Sequence, residues 1–227
     1  MQAGGFATRL REVEPDLPKP MATIAVRPFL EILLASLAGK GFERVVLSLG
    51  FMSEKISSYF GKQFAGMQID YVVEAEPIGT GGGVRLAMAA CSADHVYIFN
   101  GDTFLDLEVD RVEAHWQANR HPIIVGREVP DTARYGRLLI SEGRVSGFAE
   151  KGIAGPGLIN GGCYVFNRGQ LDVYDLHQGF SLEADYLSNA VSRMQIDVFP
   201  TAGQFIDIGV PEDYLRAQTE LAGIAIR

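Results

Sequence analysis

The sequence predicts an α/β fold: a mixed, mostly parallel sheet between helical layers, with a small antiparallel extension. Two observations lead there. Before about residue 121, short β-rich apolar runs alternate with amphipathic stretches, a rhythm that calls for parallel strands with helices on both faces. From Pro122 onward strand-like runs follow one another directly, which favours antiparallel neighbours. With no linker, repeat or low-complexity tract, the 227 residues read as one domain with halves of about 1–121 and 122–227. That length is enough to bury a large core.

Taken in order, residues 28–37 place Leu30, Leu33, Leu34 and Leu37 on one helical face, with Pro28 in the first turn. Residues 44–49 (RVVLSL) form a buried strand, and residues 53–60 a short helix with Ser53 as N-cap. Strands follow at residues 69–73 and 95–99, separated by a helix at residues 83–90. In the second half, strands are expected at residues 123–125, 137–140, 144–148 and 163–166. Helices at residues 181–194 and 211–222 complete the series.

Composition excludes several classes. A net charge of −8 with no Lys/Arg block argues against a nucleic-acid partner. No apolar run approaches the roughly 20 residues that span a bilayer. The N-terminus lacks the basic and apolar regions of a secretory signal. Cys91 and Cys163, without CxxC spacing, supply neither a zinc site nor a disulfide framework, so a reducing cytoplasm is expected. An acidic chain that binds a polyanion needs local cations, amides or metal, and four segments offer them.

In the first, Gly4-Gly5-Phe6-Ala7-Thr8-Arg9-Leu10 precedes Leu17-Pro18-Lys19-Pro20-Met21. Paired glycines let backbone amides approach phosphate oxygens; Arg9 can bridge two of them, and Lys19 adds a point charge between prolines. Alone, Gly-Gly with a nearby Arg is also an ordinary surface turn. In the second, the glycine-dense stretch Gly79-Thr80-Gly81-Gly82-Gly83 follows Glu76 and reads as a turn before a helix. It can lay a base against backbone, or serve as a flexible loop. In the third, Asn100-Gly101-Asp102 follows an apolar strand, and Asp207 recurs in an equally apolar strand-to-Gly context. A lone strand-end Asp is as often a turn former. Two of them with substrate phosphates suffice for Mg²⁺. The fourth carries Glu150-Lys151-Gly152, Asn160-Gly161-Gly162 and Glu183. Lys151 is either a phosphate ligand or a solvated charge beside Glu150, while Asn160 and Glu183 offer the mixed donors and acceptors that sugar hydroxyls need. Walker A and GxGxxG patterns are both missing, against a P-loop NTPase or a dinucleotide dehydrogenase.

Together these segments resemble the sugar-phosphate nucleotidyltransferases, whose usual signature is GGxGTRL, then PKPM, then a helix with PxLE, here Phe29-Leu30-Glu31. Within that superfamily the chain is most similar to the bacterial D-glycero-α-D-manno-heptose 1-phosphate guanylyltransferases. The similarity lies in SLGFMSEKISSYFG, EPIGTGGGVRLA, NGDTFLDLEVD, ARYGRLLI, EKG, LINGGCYVF and FIDIGVPEDYLRAQ. The resemblance implies a three-layer, Rossmann-like nucleotide-diphospho-sugar transferase fold. It implies attack of a sugar 1-phosphate on the α-phosphate of an NTP, best GTP with the heptose phosphate, giving a GDP-heptose for surface polysaccharide. Mannose 1-phosphate with GTP, another sugar with UTP, and a catalytically weak paralogue acting as sensor or partner subunit stay open. It assigns the nucleotide to Ala3, Gly4, Gly5, Thr8, Arg9, Glu76, Gly79, Thr80, Gly81 and Gly101. The sugar phosphate goes to Glu150, Lys151, Asn160, Gly161 and Glu183. Mg²⁺ goes to Asp102 and Asp207, and catalysis to Arg9, Lys19, Asp102, Lys151 and Asp207. A homodimer is an open expectation.

Three positions depart from the pattern. Only Met1-Gln2-Ala3 precedes Gly4 where the family has an apolar central strand, so a chain start later than the natural one is expected. Ala7 replaces a loop glycine, and Val26 stands where the family usually has Gly before Arg/Lys-Pro. Ala7, restricted in backbone, is expected to weaken triphosphate binding.

Overall fold

The computed structural model describes residues 1, 17–176 and 178–224. After a 3₁₀ turn at Lys19–Met21 come β1 (Thr23–Ile24), β2 (Arg27–Pro28), α1 (Phe29–Gly39), β3 (Arg44–Leu49), α2 (Ser53–Phe60), β4 (Gln63–Phe64) and β5 (Met67–Val73). Next are α3 (Gly79–Ala89), β6 (His95–Phe99), β7 (Thr103–Leu105), α4 (Val109–Asn119), β8 (Ile123–Val129), β9 (Leu138–Ser141), β10 (Arg144–Phe148) and β11 (Gly157–Asn167). A π-helical segment (Leu182–Leu187), α5 (Ser188–Ala190), β12 (Asp197–Thr201), β13 (Phe205–Asp207) and α6 (Pro211–Glu220) follow. The chain divides into two compact units, one of Met1–Ile78, Asn100–Phe104 and Ile206–Arg227, the other of Gly79–Phe99 and Leu105–Phe205.

In the first unit β3 runs parallel to β5, from Arg44 opposite Gln68 to Leu49 opposite Val73, and β4 closes an antiparallel hairpin onto β5. Met1 lies along the other edge of β3: its ammonium donates to the Val46 carbonyl (2.8 Å) and its carbonyl accepts the Ser48 N–H (2.9 Å). The four leucines expected on one face of α1 are all buried, as are Phe29, Ile32 and Ala35, so the helix is covered nearly all round. Buried Glu31 is satisfied by the Tyr59 hydroxyl and by Arg27 at 3.3 Å.

β1 and β2 form a hairpin whose two-residue turn is Ala25-Val26. The turn's positive φ, 56°, falls on Ala25, while Val26 simply projects into solvent, 88% exposed. Tyr214 and Gln218 on α6 both donate to the Thr23 carbonyl at 2.9 Å, so the hairpin is held in this geometry. Ala25→Gly removes the left-handed strain and is expected to stabilise by about 1 kcal/mol. Val26→Gly should give no such gain. Thermal melts of the two variants check the assignment.

The second unit centres on a six-stranded sheet in the order β6-β11-β8-β12-β10-β9. Alternation along β8 and β11 sends Ile123, Val125, Cys163 and Val165 to one face, against Val112 and Trp116 of α4. Ile124, Tyr164 and Phe166 go to the other, against Val84 and Met88 of α3 and Leu182, Tyr186 and Leu187 of the π-helical segment. Helix, sheet and helix are the three layers of the expected α/β class.

Several local expectations are corrected. Parallel pairing joins β3 to β5 and β8 to β12, but β6–β11, β11–β8, β12–β10 and β10–β9 are antiparallel, more than the strand–helix rhythm implied. Two of these pairs are made by β11, eleven residues long, which lies between β8 and β6. The cap of α2 is Met52, left-handed at φ 58° with no side-chain bond, and Ser53 is the first helical residue. Helix α3 begins at Gly79, four residues ahead of expectation. The helix expected at 181–194 is π-helical from Leu182 and ends by Ala190, although Ser181 does cap it, accepting the Ala184 N–H at 3.1 Å. Among the described residues no helix is long and apolar enough to cross a membrane.

Candidate active site

In the first unit, Asp102 lies just past the end of β6, in the turn into β7, and Asp207 ends β13. A hydrogen bond from the Ile208 N–H to the Asp102 carbonyl (3.0 Å) ties the two segments together. Lys19, set between buried Pro18 and Pro20, reaches Asp102 Oδ2 with Nζ at 2.6 Å. The side chains of this pair are 16% and 35% exposed. Asp207 Oδ1 accepts the Gly209 N–H at 2.8 Å. A Cβ on Gly209 would lie 2.5 Å from Lys19 Nζ and 2.9 Å from Asp207 Oδ1, so Lys19 and Asp207 crowd onto the same glycine. Burial, then the negative charge of Asp102, pushes the Asp207 carboxyl above its ordinary pKa; the Gly209 N–H and Lys19 act in the opposite sense.

Two carboxylates that repel each other, one of them half-buried, form a hard-oxygen pair suited to a divalent cation. Among the described residues no group of three or more His, Cys, Asp or Glu could hold a metal without help. Two carboxylates completed by substrate phosphates and water are what Mg²⁺ favours. Gly101 is buried in the turn beside them. Glu76 is exposed; it is Glu74 that orders its loop, half-buried and accepting from Ser48 Oγ and the Ile78 N–H at 3.3 Å each. Burial pushes the Glu74 carboxyl up.

In the second unit, Gly79–Gly83 is the first turn and a half of α3 and not a loop. The Phe180 carbonyl accepts the N–H groups of Gly81 (2.9 Å) and Gly82 (3.4 Å), satisfying amides that a helix start leaves free. Gly79 has φ 73°, and a Cβ there would lie 2.5 Å from the Phe180 oxygen; one on Gly81 would overlap the Phe180 ring. These glycines thus make room for Phe180, a distant residue that no local pattern pairs with them.

Thr80, Glu183 and Asn160 are brought into one network. Thr80 Oγ1 donates to Glu183 Oε2 (3.1 Å) and accepts the Leu182 N–H (2.8 Å). Tyr164, missed by sequence reasoning because it reads as core, donates its hydroxyl to Glu183 Oε1 (3.1 Å) and accepts from Asn160 Nδ2 (2.7 Å). The register of β11 against β8 slips between Asn160 and Tyr164, and Gly162 there has φ 70°. Such a bulge re-aims a side chain, and Asn160 folds back to accept the Gly162 N–H at 3.0 Å. Gly161 is closed in: a Cβ there would lie 3.0 Å from the Val125 carbonyl, so the strands approach closely at this glycine. Glu150 and Lys151 stand exposed after β10 and make no hydrogen bond or ion pair among the described residues. Ala3, Gly4, Gly5, Ala7, Thr8 and Arg9 lie outside the described residues.

Comparison with known proteins gives these positions a context. The nucleotidyl transferase family profile matches residues 2–223. The D-glycero-α-D-manno-heptose 1-phosphate guanylyltransferase of Aneurinibacillus thermoaerophilus is 37% identical over 219 residues, covering 96% of this chain and 95% of that one. A mannose-1-phosphate guanylyltransferase of Mycobacterium tuberculosis is 33% identical over 98% of this chain and 64% of its own length. The crystal structure of HddC from Yersinia pseudotuberculosis superposes with a TM-score of 0.86 at 35% identity, covering 96% of each chain. With the signature segments in place and the match running through nearly the whole length, the chain belongs to the nucleotidyl transferase family.

Proposed function

We propose that the protein joins D-glycero-α-D-manno-heptose 1-phosphate to GTP, forming GDP-heptose and pyrophosphate. The observation that carries the transfer chemistry is the convergence of Lys19 on Asp102 and Asp207. The choice of substrates rests on relatives: heptose phosphate enzymes match at 35–37% identity, and HddC has been crystallised with GMP-PN. The mannose-1-phosphate enzyme, at 33% identity, supports mannose 1-phosphate as the second reading.

In this reading a sugar-phosphate oxygen attacks the α-phosphorus in line. The new P–O bond forms as the bond from the α-phosphorus to the β-phosphate oxygen breaks, and pyrophosphate leaves with that electron pair. The attacking oxygen is already anionic, so no general base is needed. Asp102 and Asp207 would hold Mg²⁺, which neutralises phosphate charge. Lys19 presents a cation beside them, Lys151 holds the sugar phosphate, and Asn160 and Glu183 bind sugar hydroxyls. The reaction is assigned to the cytoplasm, where nucleoside triphosphates are at hand, and its product to capsule or lipopolysaccharide synthesis.

A pyrophosphate-release panel tests this directly, with GTP and UTP each offered heptose, mannose and glucose 1-phosphates. GTP with the heptose phosphate is expected to be fastest; preference for UTP would overturn the assignment. Lys151→Ala should raise the KM for the sugar 1-phosphate about 10- to 100-fold, the loss of one charge-assisted hydrogen bond, and leave the NTP KM near its original value. Arg9→Ala should do the reverse. Equal effects on both substrates would refute the phosphate assignments.

A further inference from the structure

We infer that Tyr164 is the positioning residue that fixes which sugar hydroxyls the site accepts, an inference that rests on the proposed sugar-side roles of Glu183 and Asn160. The hydroxyl of Tyr164 is fully buried, so it acts only through its neighbours. Its single proton goes to Glu183 Oε1 at 3.1 Å, and its oxygen receives Asn160 Nδ2 at 2.7 Å. The other carboxylate oxygen of Glu183 is held by Thr80 at 3.1 Å. One donor on each oxygen fixes the plane of the carboxylate.

These internal bonds leave part of the network's hydrogen-bonding capacity for a ligand. An ionised carboxylate accepts about four hydrogen bonds and an amide offers two donors and two lone pairs. After the internal bonds, Glu183 keeps an acceptor site on each oxygen. Asn160, whose Oδ1 takes the Gly162 N–H at 3.0 Å, keeps one N–H and one lone pair. The leftover set suits a pyranose with two neighbouring hydroxyl donors on Glu183 and a third hydroxyl on Asn160. Tyr164 locks the two residues to each other, so the spacing of that set, and with it the preferred sugar configuration, is set from inside the core. The ring itself packs beside Phe166, a contact that phenylalanine preserves.

The test is steady-state kinetics and thermal melts on Tyr164→Phe, Glu183→Gln and the double variant, all in the full chain. Tyr164→Phe is expected to raise the KM for the sugar 1-phosphate about tenfold, the worth of one buried hydrogen bond, with kcat and the NTP KM within about twofold. The ratio of kcat/KM between manno- and gluco-configured sugar 1-phosphates should shrink by a similar factor. In the Glu183→Gln background the Tyr164→Phe change should add much less, because both act through one group. A purely structural role would move both substrates' KM together, or lower the melting temperature with no selectivity change, and either result overturns the inference. If Glu183→Gln raises the sugar-phosphate KM and Tyr164→Phe does not, the inference fails and the sugar-side reading stands. If Glu183→Gln itself leaves that KM unchanged, the sugar-side reading fails and takes the inference with it.

Discussion

Asp102→Asn and Asp207→Asn are each expected to lower Mg²⁺-dependent turnover by about two to three orders of magnitude, since losing a charged metal contact removes several kcal/mol of charge stabilisation. The two variants should part company in stability. Burial and the neighbouring Asp102 charge already disfavour the ionised Asp207 carboxyl, so an amide there removes a repulsion and can keep the bond from the Gly209 N–H. Asp207→Asn is therefore expected to melt at or above the parent in EDTA at neutral pH. Asp102→Asn instead gives up the ion pair with Lys19; at this exposure such a pair contributes less than about 1 kcal/mol, so a small fall in melting temperature is expected. Pyrophosphate release at limiting Mg²⁺ and calorimetry in EDTA read the two effects. Near-parental turnover in either variant would sink the two-carboxylate site.

Gly81→Ala is expected to cost about 2–3 kcal/mol, the scale of overpacking a filled core, and to lower the melting temperature by roughly 4–10 °C. The added methyl would overlap the Phe180 ring, which is itself buried and stacked on Tyr174 with centroids 3.8 Å apart. Phe180→Leu in the same chain makes room and should return part of the loss, a coupling expected only of residues in contact. If Gly81 instead serves chiefly to admit a nucleotide base, the melt would not move and only GTP binding would suffer. Differential scanning calorimetry with GTP titration on the single and double variants separates the two roles.

How much of this the sequence carried differs by element. Strands at Arg44–Leu49, His95–Phe99 and Arg144–Phe148 begin and end where apolar, β-branched runs meet polar or glycine punctuation, and these were legible to the residue. Helix α4 went unread because VDRVEAHWQAN is mostly polar and buries little beyond Val112 and Trp116. Strand β12 went unread because Pro200, inside DVFPT, argues against a strand with partners on both sides. The start of α3 was misplaced for a physical reason: glycine disfavours helix locally, and only the contact with Phe180, 99 residues later, overrides it. At the site, Lys19 stood out between two prolines, Asp102 beside a glycine, and Asp207 as the one charge in an apolar run that ends at Gly209. Tyr164 did not, since a tyrosine in an apolar strand looks like any other core side chain.

The interleaving of the two units bears on when the protein can first work. Asp102 enters the first unit on the brief excursion Asn100–Phe104, and Asp207 enters it only when the chain returns for good at Ile206. A ribosome delivers the chain from its N-terminus, and domains generally settle as they emerge. The residues up to Ile78, although they carry Lys19, therefore wait through the synthesis of the whole second unit before the acid pair can close. A nascent chain that has not yet reached Asp207 lacks one of the two carboxylates, so any attraction for divalent ions that depends on both arises only once that residue has been made.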